Sequence, residues 1–198
     1  MGDLAAGKGT AAKYLGEKYG SNTYRFSTML RDILKRVYVP ETRENLQQLS
    51  TFLRASYGQD VMSRVIAEDV ARDEKKLVVV EGIRRPSDIE YLKKLEGFHL
   101  IYLTGDPKIR WERLVLRKEN LGDSEKTFEE FSKDEQAEAD KLIKELGSTA
   151  EKKIENNLGY EEFYRALDTL VEEYGNSNQT NRYITPPSRI QNKRCSSF

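Results

Sequence analysis

The chain has 198 residues, which is enough to bury a sizeable core and favours one domain with a small insert. Its 33 Lys and Arg residues balance its 33 Asp and Glu residues, so the formal net charge is zero. This balance removes the non-specific attraction of a basic protein for nucleic acid, and a nucleic-acid partner is not expected. Any phosphate recognition must therefore be local.

The composition also indicates the cellular compartment in which the protein is expected. No apolar run approaches membrane-spanning length and no secretory signal is recognisable, so no membrane partner is expected. Cys195 is the single cysteine, which excludes an internal disulfide. The sequence therefore predicts a cytoplasmic protein.

A glycine-rich turn opens the chain, with four residues between Gly2 and Gly7 and Lys8 directly after Gly7. Glycines allow the backbone to approach a ligand closely, and the N–H groups of a following helix attract anions. The spacing matches the phosphate-loop pattern except that Gly9 stands before Thr10. It predicts a phosphate site, the alternative being a turn before an ordinary helix. The predicted ATP-binding residues in this turn are Gly2, Ala5, Ala6, Gly7, Lys8, Gly9 and Thr10.

Only Met1 precedes this turn, although such a loop normally follows a buried parallel strand. We therefore expect either that the natural chain begins earlier, which we favour, or that the sheet lacks its central strand.

The next hundred residues predict helices and short strands. Helix 10–19 is followed by strand 23–26, and Ser27 is a suitable N-cap for a second amphipathic helix. Further helices are predicted after Pro40 and after Asp60. Together they predict a helical insert over about residues 27–73, which the family resemblance given below implies is acceptor-binding. Arg31, Gln48 and Arg54 are its candidate ligands for an acceptor, although helical Arg and Gln residues are usually only solvated.

The clearest buried strand is 77–80, and an acid and two arginines follow it. Ligands of open α/β sheets gather at the carboxyl ends of strands. Glu81 is therefore a candidate for the Mg²⁺ shell and Arg84 for binding a phosphate. The alternative is an ion pair of Glu81 with Arg84 or Arg85, and we expect Asp88 to cap the next helix.

A second arginine cluster follows strand 99–103. Arg110, Arg113 and Arg117 lie at three- and four-residue spacing on one predicted helix, so they share a face. The sequence after this helix predicts a flexible tip at 121–127 and a long helix at 128–146, and the family resemblance given below implies that about residues 108–140 form a lid. The alternative is a solvated helix whose arginines pair with Glu112 and Glu119.

The chain ends with a short strand at 153–157, a helix at 160–174 and a polar segment. Residues 176–198 contain several basic and no acidic residues, which predicts a flexible basic tail or linker after a domain spanning 1–175. We hypothesise that this tail contacts an unknown partner.

Several segments resemble one family in the same order. The Gly9-Thr10 variant with helix 10–19, and the segment from Ser27 to Arg31, are similar to adenylate kinase and related nucleoside monophosphate kinases. The segment from Glu81 to Pro86 resembles the Asp-Gly-Ile-Arg-x-Pro signature of the phage and archaeal deoxynucleoside monophosphate kinase-like branch, with Glu in place of Asp. The final turn, from Ile154 to Gly159, resembles the family's Ile-x-Asn-x-Gly ending with one residue more.

The resemblance implies an α/β fold, a three-layer P-loop NTPase with a parallel sheet flanked by helices, and transfer of the γ-phosphoryl of ATP to a nucleoside or deoxynucleoside monophosphate. It implies that Lys8 bridges the donor phosphates, with Mg²⁺ as the cofactor of ATP. Thr10 and Glu81 would serve the metal, Arg31 and Arg84 the acceptor, and Arg113 and Arg117 the lid.

Two other functions stay open. A dephospho-coenzyme A kinase shares the scaffold, although no obvious acidic base follows the second strand. A non-catalytic ATP-binding regulatory module is supported by the absent first strand and the basic tail. The partners expected in every case are small-molecule nucleotides, and a homodimer is left open.

Overall fold

Short parallel strands alternate with amphipathic helices along the chain. A computed structural model describes residues 1–117, 123–135 and 138–175. The predicted lid tip lies partly outside these residues, and the predicted tail, with Cys195, lies wholly outside them. The strands are β1 (Asn22–Arg25), β2 (Val78–Glu81), β3 (Ile101–Thr104) and β4 (Lys152–Glu155). The helices are α1 (Lys8–Tyr19), α2 (Phe26–Arg36), α3 (Arg43–Tyr57), α4 (Val61–Ala71), α5 (Pro107–Arg117), α6 (Phe128–Asp134), α7 (Glu138–Ser148) and α8 (Tyr160–Gly175).

The strands form two parallel pairs. β1 pairs with β2 in a register that places Arg25 opposite Glu81, and β3 pairs with β4 with Thr104 opposite Glu155. Met1 and Gly2 run parallel to β3: the Leu103 N–H donates to the Met1 carbonyl at 2.9 Å, and the Asp3 N–H donates to the Leu103 carbonyl at 3.0 Å. The opening turn therefore starts at the carboxyl end of β3, where a ligand site is expected.

Helices cover both faces of the strands. Val79 packs with the cluster that α1 and α8 form, whereas its neighbour Val80 packs with the cluster of α2 and α4. Successive residues of a strand point to opposite faces, so the strands lie between two helical layers. The predicted three-layer α/β fold is confirmed.

Two local predictions are wrong. α2 begins at Phe26 with Arg25 as its N-cap residue, so Ser27 lies inside the helix and does not cap it. The predicted long helix 128–146 is described as two helices, α6 ending at Asp134 and α7 beginning at Glu138. The helices α2 to α4 lie within the predicted insert.

Candidate active site

The opening turn leads directly into α1. Gly7 has φ 97° and Ala5 φ 57°, both in the left-handed region, so the backbone turns sharply before Lys8 begins the helix. Gly7 is the N-cap residue and offers no side chain to the first turn of α1. The first N–H groups of α1 therefore have no side-chain cap from this residue, and they carry the positive end of the helix dipole.

A buried carboxylate holds the start of the turn against β3. Asp3 accepts hydrogen bonds from the Tyr102 hydroxyl and, at 2.5 Å, from the Thr104 hydroxyl. Burial, together with the hydrogen bond to Asp3, raises the pKa of Tyr102, so this hydroxyl stays protonated and remains a donor. Asp3 thus fixes the turn and is not itself available as a base.

Two further side chains fix the middle of the turn. Buried Asn156, just after β4, donates from Nδ2 to the Ala6 carbonyl at 3.1 Å, and buried Arg110 donates from Nη1 to the Leu4 carbonyl at 3.2 Å. The turn is therefore held by groups from β3, β4 and α5, so its geometry is set before any ligand binds.

Lys8 lies across the mouth of the turn. Its Nζ donates to the carbonyls of Gly2 at 2.9 Å and Asp3 at 2.5 Å. Burial, and to a smaller extent the nearby charge of Arg84, lowers the pKa of Lys8 to about 8, although Asp3 and Glu81 oppose this shift. Arg117 also contributes to the lowering. The structure thus brings together four residues that the sequence predicted for one site: Lys8, Glu81, Arg84 and Arg117.

Arg84 lies on a corner that follows β2. Gly82 has φ 84°, in the left-handed region, and the Arg84 side chain is exposed. Within residues 1–117, 123–135 and 138–175, the Arg84 guanidinium has neither a hydrogen-bond acceptor nor a carboxylate partner. An unpaired guanidinium near Lys8 suits a planar bidentate contact with phosphate oxygens.

Glu81 and Thr10 were predicted to serve a metal. The Glu81 Oε2 atom pairs with Arg25 Nε at 3.0 Å, so the predicted pairing with Arg84 or Arg85 is wrong. Its Oε1 atom is buried and accepts no hydrogen bond from the described part of the chain, and Thr10 is half-buried in the first turn of α1.

These two residues fit a Mg²⁺ ion that is held mainly by nucleotide phosphates. Such an ion keeps several waters and takes one or two protein oxygens, and Oε1 of Glu81 is an acceptor for one of those waters. The described residues contain no cluster of three or more His, Cys, Asp or Glu residues around one point, which this kind of site does not require.

The three arginines of α5 have different surroundings. Arg110 is buried and pairs with Glu135, while Arg113 donates to the Asn156 carbonyl at 2.6 Å and to the Leu158 carbonyl at 3.2 Å. Arg117 is exposed and acts electrostatically on Lys8. The three arginines share a helical spacing, but they do not share the same surroundings. Glu119 lies outside the described residues.

Trp111 packs at the base of the predicted lid. Its Nε1 donates to the Lys126 carbonyl at 2.7 Å, and its ring contacts Phe128 edge-on with centroids 5.8 Å apart. The ring therefore joins α5 to α6.

The predicted acceptor residues of the insert have partners of their own. Arg31 pairs with Glu41 at 3.1 Å, Gln48 is exposed, and Arg54 is buried against Asp88 and the Gln59 carbonyl. The structure does not bring Arg54 to the mouth of the turn, because two of its donors are taken in the interior.

Sequence reasoning missed two residues that organise the site, Asp3 and Asn156. Asp88 caps a helix as predicted, but from inside it: in the short 3₁₀ helix Pro86–Ile89 its carboxylate accepts from the backbone N–H groups of Arg84 and Arg85 at 2.9 and 3.1 Å. Asn156 lies in the segment that carries the resemblance at the chain's end, which was the one available signal for it.

The fold and the loop define a P-loop protein. A family model described as an AAA domain (AAA_17) matches residues 2–132, and the chain belongs to this family. Its relatives include a UPF0200 protein of Pyrococcus abyssi, 29% identical over 171 residues, which cover 84% of this chain and 90% of the relative. A UPF0200 protein of Saccharolobus solfataricus is 28% identical over 171 residues, covering 84% and 87% of the two chains.

Solved structures support the same fold. The shikimate kinase of Bacteroides thetaiotaomicron superposes with a TM-score of 0.59 at 16% identity, covering 87% of this chain and 94% of that one. The chain therefore has the fold of P-loop kinases. No helix in the described part of the chain is both long enough and apolar enough to cross a membrane.

Proposed function

We propose that this protein transfers the γ-phosphoryl group of ATP to a nucleoside or deoxynucleoside monophosphate. The observation that carries the proposal is the convergence of Lys8, Arg84 and Arg117 at a preorganised phosphate loop. Arg84 and Arg117 come from segments far from Lys8 in the chain. The three positive charges repel one another, and a ligand with several negative charges relieves this repulsion.

The turn and α1 would bind the donor phosphates through backbone N–H groups, and Lys8 would leave the Gly2 and Asp3 carbonyls to contact them. An oxygen of the acceptor phosphate attacks the γ-phosphorus, the bond to the β-phosphate oxygen breaks, and ADP leaves. Thr10 and Glu81 would help the phosphates to hold Mg²⁺, which would supply charge neutralisation. Arg84 would hold the acceptor phosphate, and Arg117 would stabilise the charge on the equatorial oxygens.

A phosphate acceptor also fits the acids near Lys8. A monophosphate is already largely ionised at neutral pH and needs no base, whereas an alcohol acceptor gives up a proton. Asp3 is occupied by two hydroxyl donors, and one oxygen of Glu81 is paired with Arg25. These contacts favour the monophosphate over a hydroxyl acceptor such as dephospho-coenzyme A.

The test is a radiolabel transfer assay with γ-labelled ATP, Mg²⁺ and a panel of ribo- and deoxyribonucleoside monophosphates. Dephospho-coenzyme A and shikimate serve as hydroxyl acceptors. We expect labelled diphosphate from at least one monophosphate, and a loss of about 100-fold or more in the Lys8→Ala variant. The matched control is Lys13→Ala, which removes an exposed lysine of the same helix.

Transfer only to a hydroxyl acceptor would replace the proposed substrate class. Binding of ATP without transfer to any acceptor would favour the regulatory module.

A further inference from the structure

A buried ion pair joins the helical insert to the corner that carries Arg84. Arg54 of α3 donates from Nη2 to Asp88 Oδ1 at 2.7 Å, and both side chains are at most 9% exposed. Arg54 also donates to the Gln59 carbonyl at the end of the same helix. A buried ion pair is costly unless both charged groups are fully hydrogen-bonded, and the contacts of Arg54 and Asp88 meet this condition.

The second oxygen of Asp88 holds the corner itself. Asp88 Oδ2 accepts from the backbone N–H groups of Arg84 and Arg85, and the Asp88 N–H donates to the Arg85 carbonyl at 3.0 Å. One carboxylate therefore fixes the backbone of both arginines, while their side chains stay exposed.

The corner directly affects the phosphate loop. Arg84 carries an exposed guanidinium on the corner after β2, and among the charged neighbours of Lys8 it has the largest effect on the pKa of the Lys8 amine. Rotation of the Arg84 backbone would swing this long side chain away from the loop. The Asp88 contacts prevent that rotation, and Arg54 holds Asp88.

We propose that Arg54 and Asp88 are positioning residues: the ion pair locks the 84–85 corner to α3 and so holds the Arg84 guanidinium at the phosphate site. This inference rests on the proposed function for the role of Arg84, but the locking itself is independent of it. Arg54 was predicted from the sequence as a ligand of the acceptor. In this proposal it acts on the site only through Asp88.

Two variants separate positioning from a merely structural role. Arg54→Met keeps an apolar stem and removes the charge, and Asp88→Asn keeps the shape and removes the charge. The matched control is Glu90→Gln, which breaks an exposed pair with Lys93 in the same segment. The first readout is the hydrogen exchange of the Arg84 and Arg85 amides, followed by NMR.

We expect the amides of Arg84 and Arg85 to exchange with solvent about 10-fold faster or more in Arg54→Met and Asp88→Asn, because both variants loosen the carboxylate that holds these amides. Glu90→Gln should leave the exchange of both amides unchanged. Folded Arg54→Met and Asp88→Asn variants with unchanged exchange would overturn the proposal.

The unmodified protein provides a test if neither variant folds. Its Arg84 and Arg85 amides should exchange about 100-fold slower than exposed coil amides, and exchange at the coil rate would overturn the proposal.

In an active enzyme, both variants should raise the KM for the monophosphate about tenfold while the Kd of ATP stays within about twofold. If the wild type transfers no phosphoryl group, the proposed function fails, and amide exchange still decides whether the corner is locked.

Discussion

Lys8 shows how burial and neighbouring charges prepare one residue for a ligand. In the free protein its amine is bound to two backbone carbonyls and repelled by Arg84 and Arg117, so its pKa falls to about 8. A bound polyanion would reverse this effect, because negative charge favours the protonated amine. The ligand and the proton therefore bind together.

ATP binding should take up protons at pH 8. The free amine is about half protonated there, and bound ATP raises its pKa, so binding should take up about half a proton at Lys8. As the pH rises further above 8, the affinity for ATP should fall. Calorimetry in buffers of different ionisation enthalpy measures this uptake.

Lys8→Met should lose this proton uptake, and Lys13→Met should retain it. Equal uptake by the wild type and Lys8→Met would show that the proton binds elsewhere.

Residue types alone could not sort the arginines. Arg84 and Arg54 look equally suited to a phosphate in the sequence, but one is exposed near Lys8 and the other is buried against Asp88. The difference depends on the tertiary position of Asp88, 34 residues from Arg54 in the chain. The phosphate loop was predictable because its function depends on contiguous residues.

At the scale of an element, α1 combines two requirements that conflict. A helix favours alanine over glycine, yet Gly9 lies in its first turn beside the predicted phosphates. A Cβ at Gly9 would have no neighbour within 4 Å in the free protein, so packing does not explain the glycine. Close approach of a ligand would explain it.

Gly9→Ala should therefore stabilise the free protein and weaken ATP binding. We expect the free energy of unfolding to rise by about 0.5–1 kcal/mol and the Kd of ATP to increase about tenfold. Gly16→Ala is the control, because it lies in the same helix and its Cβ would make only ordinary contact with Ser21. Denaturant titration and ATP calorimetry check both values. Unchanged affinity in Gly9→Ala would mean that no ligand approaches this position.

The helix α5 separates structure from function within a few residues. Arg110→Met would leave the buried Glu135 carboxylate without its partner, which should cost about 3–5 kcal/mol of unfolding free energy. Arg117→Met should leave stability nearly unchanged and reduce phosphoryl transfer.

Thermal unfolding and the transfer assay distinguish the two variants. Arg165→Met, at an exposed ion pair on α8, is the control and should change stability by less than about 0.5 kcal/mol. A strongly destabilised Arg117→Met variant would assign that residue to the fold.

For the whole molecule, the contact of the opening residues with β3 connects the phosphate loop to the strands. The sequence predicted the order of most strands and helices, because apolar periodicity and turn residues are local signals, whereas the three layers were implied by the family resemblance. The contacts of Asp3 with Tyr102 and Thr104 could not be predicted, because they join residues about 100 positions apart.

Gly2→Ala should disturb this connection. A Cβ at Gly2 would lie 2.2 Å from the Leu103 carbonyl oxygen, so the turn or β3 must move. We expect a loss of about 1–3 kcal/mol in unfolding free energy together with weaker ATP binding, since Lys8 contacts the Gly2 carbonyl. Denaturant titration beside Gly16→Ala measures the difference. Stability equal to that control would show that the strand contact tolerates the displacement.

The chain has one tryptophan, and its position gives the protein a built-in optical probe. The indole lies between α5 and α6 against an aromatic ring, with its N–H bonded to a backbone carbonyl. Separation of these two helices would alter the emission wavelength and intensity without any label. Stopped-flow fluorescence of the unmodified protein can therefore follow this junction in real time as nucleotide is mixed in.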